Sequence, residues 1–194
     1  TYDGVPVQLV LTDDAGQRRE VALTPRVMEA IEPFTADKSR PGVLVLRVEQ
    51  FDKGLGAWMG SELEGLPADV DVVLDLRGNP GGRLMEAESV LTCFLPRDQV
   101  WATRTGRSGR PVVLRAAGDC GDRRDPLAND VAVLVDQGSR SAAELTPAAL
   151  QEARRGIVVG EKTGGSVLIA QETNLPDGGR LTLSRADFVT SGGI

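Results

Sequence analysis

The sequence predicts an α/β domain in which a mostly parallel β-sheet is flanked by helices. Four short, nearly continuous apolar runs have the composition of strands that are buried on both faces, and helical segments separate several of them. An alternation of buried strands with helices is typical of a parallel sheet. The four apolar runs are residues 43–48 (VLVLRV), 69–76 (DVDVVLDL), 131–136 (VAVLVD) and 156–161 (GIVVGE).

Length and composition limit the classes of protein to which the chain can belong. Its 194 residues suffice for one full domain and a fragment of a second, and 41% apolar with 26% charged residues is usual for a soluble globular protein. A net charge of −6 argues against a nucleic-acid partner, which would require a basic surface. No segment approaches the roughly 20 apolar residues of a membrane-spanning helix.

The N-terminal part predicts a β-hairpin followed by a linker. Residues 5–12 and 19–24 alternate between apolar and polar side chains on either side of DDAG at 13–16, which is the pattern of two antiparallel strands and their turn. Residues 26–42 show no clear period and contain two prolines. We therefore expect an irregular linker there, with room for a short helix near Val27–Ile31.

Three helices are predicted in the remainder of the chain. Residues 52–66 place leucine and methionine at helical spacing, although glycines interrupt them, and residues 83–95 combine good helix formers with no breaker. Residues 142–154 also favour a helix, but they contain Pro147. Proline is tolerated best in the first turn of a helix.

Further strands and loops complete the prediction. Residues 100–105 alternate in the manner of an edge strand, and a turn leads from them into an apolar strand at 112–116. Residues 117–129 are polar and rich in turn formers, so they predict a surface loop. Two runs that flank PDGG at 176–179 predict a second hairpin.

The residue types that are missing or rare restrict the chemistry. The sequence contains no histidine, so a complete Ser-His-Asp triad cannot form within these residues. Cys93 and Cys120 match no metal-binding motif. They either pair in an oxidising compartment or remain free thiols, and we expect no metal or other cofactor.

Ser141 is the best candidate for a chemical role. It ends the turn QGSRS at 137–141, which joins the strand at 131–136 to the helix at 142–154. The helix dipole and the free N–H groups of the first turn favour negative charge beside the hydroxyl, and the N–H of Ala142 can donate to an oxyanion. Serine is also a preferred N-cap in proteins without activity, so the residues alone leave both interpretations open.

A second glycine-rich turn supports the same location. RGNPGG at 77–82 follows the strand at 69–76, and sites in parallel sheets form at the carboxyl ends of strands. Gly81 and Gly82 permit backbone conformations that other residues avoid, so an N–H group of this pair can complete an oxyanion hole with that of Ala142. An ordinary strand-to-helix turn is the alternative interpretation.

Three motifs in order, VVLDLRGNPGG, VLVDQGSRSAAEL and GIVVGEKTGG, resemble the core of the C-terminal processing (tail-specific) and tricorn-like serine peptidases. The resemblance covers about residues 43–190. It implies a ClpP/crotonase-like core and a serine endopeptidase activity. It also implies that Ser141 and Glu144 are the serine and glutamate of the S-x-S-A-x-E pattern, with Ala142 and a glycine of the 81–82 pair as oxyanion donors.

The resemblance also suggests how the chain is divided. The opening hairpin resembles the end of a PDZ domain, which such peptidases usually carry. The expected division is a PDZ fragment at 1–25, the linker at 26–42 and a peptidase core at 43–194 that is truncated at its C-terminus.

The position of the catalytic base departs from the pattern. The processing peptidases use a Ser–Lys dyad whose lysine lies in a G-E-x-T-x-G-K-G segment, and here that segment reads GEKTGGSV with Ser166 at the lysine position. A hydroxyl cannot replace the base. Lys162 is the alternative base within the chain, although its position in the strand pattern favours a solvated lysine. Tricorn-like members use Ser–His–Glu, and similarity to them implies that the histidine and the glutamate lie outside these residues.

The resemblance therefore implies a serine endopeptidase that acts on peptides or proteins through their C-terminal tails, and that is inactive or nearly so as these 194 residues alone. The alternative is a non-catalytic peptide- or ligand-binding module on the same scaffold, because fold does not fix function. A crotonase-type acyl-CoA enzyme has no support of its own in the sequence.

The family often works outside the cytoplasm, so the cell envelope or a secreted location is expected, with the cytoplasm as the alternative. The sequence does not indicate an oligomeric state.

Overall fold

The computed structural model describes residues 4–27, 31–106 and 109–193, and the chain divides into two compact units, Thr1–Glu32 and Pro33–Ile194. In chain order the described strands are β1 (Val7–Thr12), β2 (Arg18–Leu23), β3 (Phe34–Asp37), β4 (Val43–Val48), β5 (Asp71–Asp75), β6 (Val100–Gly106), β7 (Pro111–Arg115), β8 (Val131–Val135), β9 (Ile157–Gly160), β10 (Leu168–Asn174) and β11 (Arg180–Thr190). The described helices are α1 (Leu55–Glu62), α2 (Leu84–Phe94) and α3 (Ala142–Glu152).

The first unit is a β-hairpin. Strands β1 and β2 pair antiparallel, with Val7 opposite Leu23. In the turn, the carboxylate of Asp13 accepts the N–H of Ala15 at 3.0 Å and that of Gln17 at 2.8 Å, as aspartate often does in turns. The predicted N-terminal hairpin is confirmed, and its relation to a PDZ domain stays a prediction.

The larger sheet of the second unit has the strand order β3-β4-β5-β8-β9 among the described residues. Strands β4, β5, β8 and β9 are parallel to one another, and β3 pairs antiparallel with β4. The predicted mostly parallel sheet is therefore confirmed. Because β5 and β8 are neighbours that run in the same direction, the turns that follow them emerge at the same edge.

The segment at 26–42 differs from the predicted irregular linker, because it contains strand β3. Four residues are too few to show a period, and the strand exists because β4 offers an unpaired edge, with Phe34 opposite Val48. The short helix considered near Val27–Ile31 falls on residues 28–30, which lie outside the described residues.

The smaller sheet of the second unit is antiparallel, with the order β10-β11-β6-β7. The hairpin β10–β11 confirms the prediction made around residues 176–179. The prediction that residues 100–105 form an edge strand is wrong, because β6 pairs with β7 on one side and with β11 on the other. Alternation along one strand does not reveal whether a strand much later in the chain will pair with it.

The helices agree with the sequence pattern except in two details. Helix α1 is shorter than the predicted 52–66, because Gly54 at its N-cap has a φ of 95° and the helix ends at Glu62. Pro147 lies in the second turn of α3 rather than in the first. The longest helices have 11 residues, and none among the described residues is long and apolar enough to cross a membrane.

The core lies between the larger sheet and the helices. Helix α2 buries a face whose members recur at helical spacing, as an amphipathic helix does. Alternate residues of the strands face it, and burying each such side chain contributes about 1.5–3 kcal/mol. The buried side chains include Ala87, Val90, Leu91 and Phe94 of α2, and Leu46, Leu74 and Val133 of the sheet.

A disulfide joins Cys93 to Cys120, with the two Cα atoms 5.4 Å apart. Of the two alternatives left open by the sequence, the structure has the paired one. The bond links the end of α2 to the polar loop at 117–129. The loop also packs on α1, since a side chain at Gly60 would begin 2.5 Å from the carbonyl carbon of Cys120. The loop is thus held against both helices.

Candidate active site

Two glycine-rich turns meet at the carboxyl end of the parallel sheet. One follows β5 at 77–82 and the other follows β8 at 137–141. The carboxylate of Asp136 joins them, because one of its oxygens accepts the N–H of Gly78 and that of Gly138, both at 2.8 Å. The bond from Gly78 is the main reason why the pKa of Asp136 lies below its usual value.

Asn79 connects the same two turns from the inside. Its side chain is completely buried, donates to the carbonyl of Val48 at 2.8 Å and accepts the N–H of Gly81 at 2.8 Å. Its own carbonyl accepts the N–H of Arg140 at 2.9 Å, immediately before Ser141. A buried amide with its donor and acceptor both satisfied fixes the position of each turn relative to the other.

Asp75 anchors the start of the first turn. Burial alone would raise the pKa of Asp75, but hydrogen bonds from Arg77 and the charges of Arg47 and Arg77 outweigh burial, so its pKa is lowered. The two arginines lie 2.7 Å (Arg77) and 3.1 Å (Arg47) from its carboxylate oxygens. Asp75 is therefore ionised at neutral pH, and its negative charge holds Arg77, the first residue of the turn, in place.

Ser141 has an unusual backbone conformation. It is half-buried at the N-cap of α3, with φ 53° and ψ −117°. Few residues other than glycine adopt a positive φ, and such strain costs about 1–3 kcal/mol and clusters at functional sites. The N–H of Ser141 donates to the carbonyl of Ser166 at 2.9 Å.

Glu144 ties a third segment to this turn. Its carboxylate accepts the N–H of Ser141 at 2.9 Å, that of Gly165 at 2.7 Å and that of Ser166 at 2.8 Å. The bond to Ser141 follows from the serine and glutamate at capping-box spacing. The other two bonds had no local signal in the sequence, because their donors follow β9 and reach Glu144 only in the folded chain.

The proposed oxyanion donors are not equivalent. The N–H of Ala142 has no acceptor among the described residues, whereas that of Gly81 already donates to Asn79. Gly81, with φ 98°, serves as a spacer, because a side chain there would begin 2.7 Å from the Cβ of Ser141.

Gly82 is the better second donor of the pair. The carbonyl of Gly81 and the N–H of Arg83 both bond to the backbone of Phe51. The intervening N–H of Gly82 must therefore point away from Phe51, and it has no acceptor among the described residues.

The segment that contains Ser166, the residue at the expected lysine position, lies against the turn at 137–141. The side chain at this position ends in a hydroxyl group. Ser166 is exposed and contacts Ser141 through its backbone carbonyl. Lys162 is exposed, and within the described part of the chain it forms no hydrogen bond or ion pair. The structure thus brings Ser141, Ala142 and the 81–82 pair together, and it gives Lys162 no contact with them.

A cleft of ≈ 490 Å³ opens beside Ser141. It lies between the turn after β5, the start of α3 and the smaller sheet. Its lining is mostly apolar, with two arginines. The lining residues are Gly82, Arg83, Leu84, Met85, Arg104, Ser141, Ala142, Leu145, Leu168 and Phe188.

Comparisons with known proteins identify a family and several relatives. Peptidase family S41 matches residues 42–194. A carboxyl-terminal-processing protease of Synechocystis sp. is 32% identical over 97% of this chain and 49% of its own length. The carboxy-terminal processing protease CtpB of Bacillus subtilis is 33% identical over 75% of this chain and 28% of its own length.

Among solved structures, the photosystem II D1 C-terminal processing protease has a similar fold. It superposes with a TM-score of 0.69 and 24% identity, over 99% of this chain and 53% of that one. The chain thus spans about half the length, or less, of these relatives. The match covers more than three quarters of the sequence and includes both turns and the segment with Ser166. The chain therefore belongs to peptidase family S41.

Proposed function

We propose that these residues form the nucleophile-bearing core of a serine endopeptidase, with Ser141 as the nucleophile. The observation that carries the proposal is the strained Ser141 at a helix N-terminus, beside two N–H groups without acceptors among the described residues. Membership of a peptidase family supports it.

The reaction follows from this arrangement. The Oγ of Ser141 bonds to the carbonyl carbon of the scissile peptide while its proton passes to a base. The N–H groups of Ala142 and Gly82 donate to the oxyanion that forms. Gly81, which has no side chain, allows the turn at 77–82 to lie close to Ser141. The C–N bond breaks as the leaving amine takes the proton, and water then hydrolyses the ester and restores the serine.

The base and its acid partner are supplied from outside these residues. The sequence has no histidine, and Ser166 occupies the position of the dyad lysine. Lys162 is the alternative base within the chain. A ClpP/crotonase-like fold for the core and the relation of residues 1–25 to a PDZ domain belong to the same proposal.

The substrate class is peptides or proteins cleaved near their C-terminal tails. This follows the names of the relatives, which are carboxyl-terminal processing proteases. We further propose a location in the cell envelope or outside the cell. The disulfide between Cys93 and Cys120 is typical of oxidising compartments.

A non-catalytic peptide- or ligand-binding module is the second candidate. The hydroxyl at Ser166 and the absence of histidine favour it. In that case the cleft beside Ser141 would bind a peptide without cleaving it.

The test is to supply the missing base. Ser166→Lys places an amine on the segment that contacts Ser141, and Ser166→Met is the uncharged control of similar length. We expect Ser166→Lys to speed labelling of Ser141 by a fluorophosphonate about 10²–10⁴-fold, the usual effect of a positioned base. Mass spectrometry locates the label, and the double variant Ser141→Ala with Ser166→Lys should not react.

Each outcome has a defined meaning. Fast labelling of the unmodified chain would reveal a base within it, and Lys162→Met would then test that lysine. Absence of labelling in folded Ser166→Lys would contradict the proposed nucleophile and favour the binding module.

A further inference from the structure

We propose that Arg104 makes the cleft beside Ser141 selective for peptides that carry a carboxylate close to the scissile bond. The inference rests on the proposed function, because it concerns the same cleft. It adds a preference for a negatively charged substrate, which the nucleophile and the oxyanion donors do not determine.

The strand pairing directs Arg104 into the cleft. It lies on β6, directly opposite Phe188 of β11. Directly opposite residues of an antiparallel pair point to the same face of the sheet. Both residues line the cleft that also contains Ser141, so Arg104 belongs to the wall that a bound peptide would face.

The guanidinium of Arg104 has donors to offer. The residue is half-buried, and among the described residues it forms no hydrogen bond or ion pair. Arg47, by contrast, is paired with the carboxylates of Glu49 and Asp75. A guanidinium has five N–H donors in a planar fork that fits a carboxylate in bidentate fashion.

Glu88 interacts electrostatically with Arg104 but does not pair with it. Glu88 of α2 senses its charge, but burial has the larger influence and the pKa of Glu88 is raised. No oxygen of Glu88 forms an ion pair with Arg104 in the described part of the chain. Arg83, the other arginine of the cleft, is exposed. Arg104 is therefore the cation best placed to hold an anion inside the cleft.

The apolar wall around Arg104 strengthens its interaction with a carboxylate and restricts further which peptides fit the cleft. Leu84, Leu145 and Phe188 are buried or half-buried beside it. An apolar surface lowers the local dielectric constant, so a charge pair formed there is stronger than one in water. The cleft thus suits a peptide with an apolar side chain next to a carboxylate. That carboxylate can be an aspartate or glutamate side chain or the C-terminal carboxylate.

Binding of short fluorescent peptides, followed by anisotropy, tests the inference. Three peptides share one apolar sequence and differ only in charge. The first has an internal glutamate and an amidated end, the second has glutamine and an amidated end, and the third has glutamine and a free carboxylate. The protein carries Ser141→Ala, so that no hydrolysis disturbs the measurement.

We expect the first or the third peptide to bind about tenfold more tightly than the second, as a hydrogen-bonded charge pair of about 1.4 kcal/mol would produce. The tighter of the two identifies the source of the carboxylate. Arg104→Met should abolish the difference. Arg124→Met, which removes an exposed arginine outside the cleft lining, should preserve it.

Three results would each overturn the inference. The first is equal binding of the three peptides, and the second is loss of the preference in Arg83→Met instead of Arg104→Met. The third is no binding at about millimolar peptide. Binding is read without hydrolysis, so its outcome is separate from the labelling of Ser141. Labelling without charge preference would refute only the role of Arg104. Charge preference without labelling would refute only the proposed nucleophile.

Discussion

The two ends of the parallel sheet each open into a cleft, and the larger cleft is at the end without a candidate nucleophile. The cleft at the amino ends of the strands has a volume of ≈ 630 Å³, against ≈ 490 Å³ beside Ser141. Its lining is made of strand starts and the segment after α3, including Val43, Asp130 and Ile157. Volume alone therefore does not mark the site.

The ends differ in which backbone groups their polar side chains bind. At the amino end, the amide of Asn129 donates to the carbonyls of Pro67 and Val70, both at 2.7 Å. At the carboxyl end, the oxygens of Asn79, Asp136 and Glu144 accept N–H groups of the turns. These acceptors fix the turns but leave the N–H groups of Ala142 and Gly82 without acceptors in the described part of the chain, which is the arrangement that anion stabilisation requires.

The largest effect that would sharpen this comparison is expected for Gly81→Ala. A positive φ costs about 1–2 kcal/mol in alanine, and crowding against Ser141 adds about 1–3 kcal/mol. Urea unfolding should therefore show a loss of about 2–5 kcal/mol. Gly54→Ala is the matched control, because Gly54 has φ 95° with no atom within 4 Å of the added carbon. Equal losses of unfolding free energy in the two variants would show that the close approach of Gly81 to Ser141 does not contribute to stability.

The comparison of the two ends is tested most directly by their two buried asparagines. Asn79→Ala removes the side-chain partner of the Val48 carbonyl and of the Gly81 N–H, and Asn129→Ala removes the bonds to the carbonyls of Pro67 and Val70. Each variant should therefore lose about 2–4 kcal/mol of unfolding free energy. In the Ser166→Lys background, only Asn79→Ala should slow labelling of Ser141, by about tenfold or more. If Asn129→Ala slows it equally, the two ends are not functionally distinct.

The smallest effect concerns pH. The pKa of Asp136 is lowered in the folded state, chiefly by the bond from Gly78. Its contribution to stability is therefore complete above the unfolded value of about 3.9 and is lost as pH falls through the lowered folded value. The unfolding free energies of the wild type and Asp136→Asn, measured from pH 2 to 7, should differ above pH about 5 and converge in acid. Asp125→Asn is the control for the change in net charge, because Asp125 is exposed and has no hydrogen bond among the described residues. A difference between wild type and Asp136→Asn that stays constant with pH would refute the role of Asp136.

The parallel sheet could be predicted because its strands carry their own signal in nearly continuous apolar runs. Strand β3 could not, since its four residues become a strand only by pairing with β4. The interior position of β6 depends on β11, which lies about 80 residues later. Pairing between distant segments leaves no trace in a local pattern.

The same distinction applies to the site. Ser141 and the turn with Gly81 were visible because glycine-rich turns after buried strands meet at one edge of a parallel sheet. The two bonds that Glu144 accepts from the Ser166 segment and the place of Arg104 in the cleft were not visible, because they arise from contacts between segments far apart in sequence. Which N–H of the 81–82 pair lacks an acceptor among the described residues depends on a local bond, from Gly81 to Asn79, and on the distant pairing with Phe51 that turns the N–H of Gly82 away.

The contact between Ser166 and Ser141 is made by main-chain atoms, and the Ser166 segment donates only main-chain N–H groups in its two bonds to the carboxylate of Glu144. A scaffold held in this way is insensitive to which side chain occupies position 166. In evolutionary terms, an amine or a hydroxyl can be exchanged there by substitution without rebuilding the neighbouring turn. Gain or loss of an amine at position 166 is thus separable from any change at Ser141.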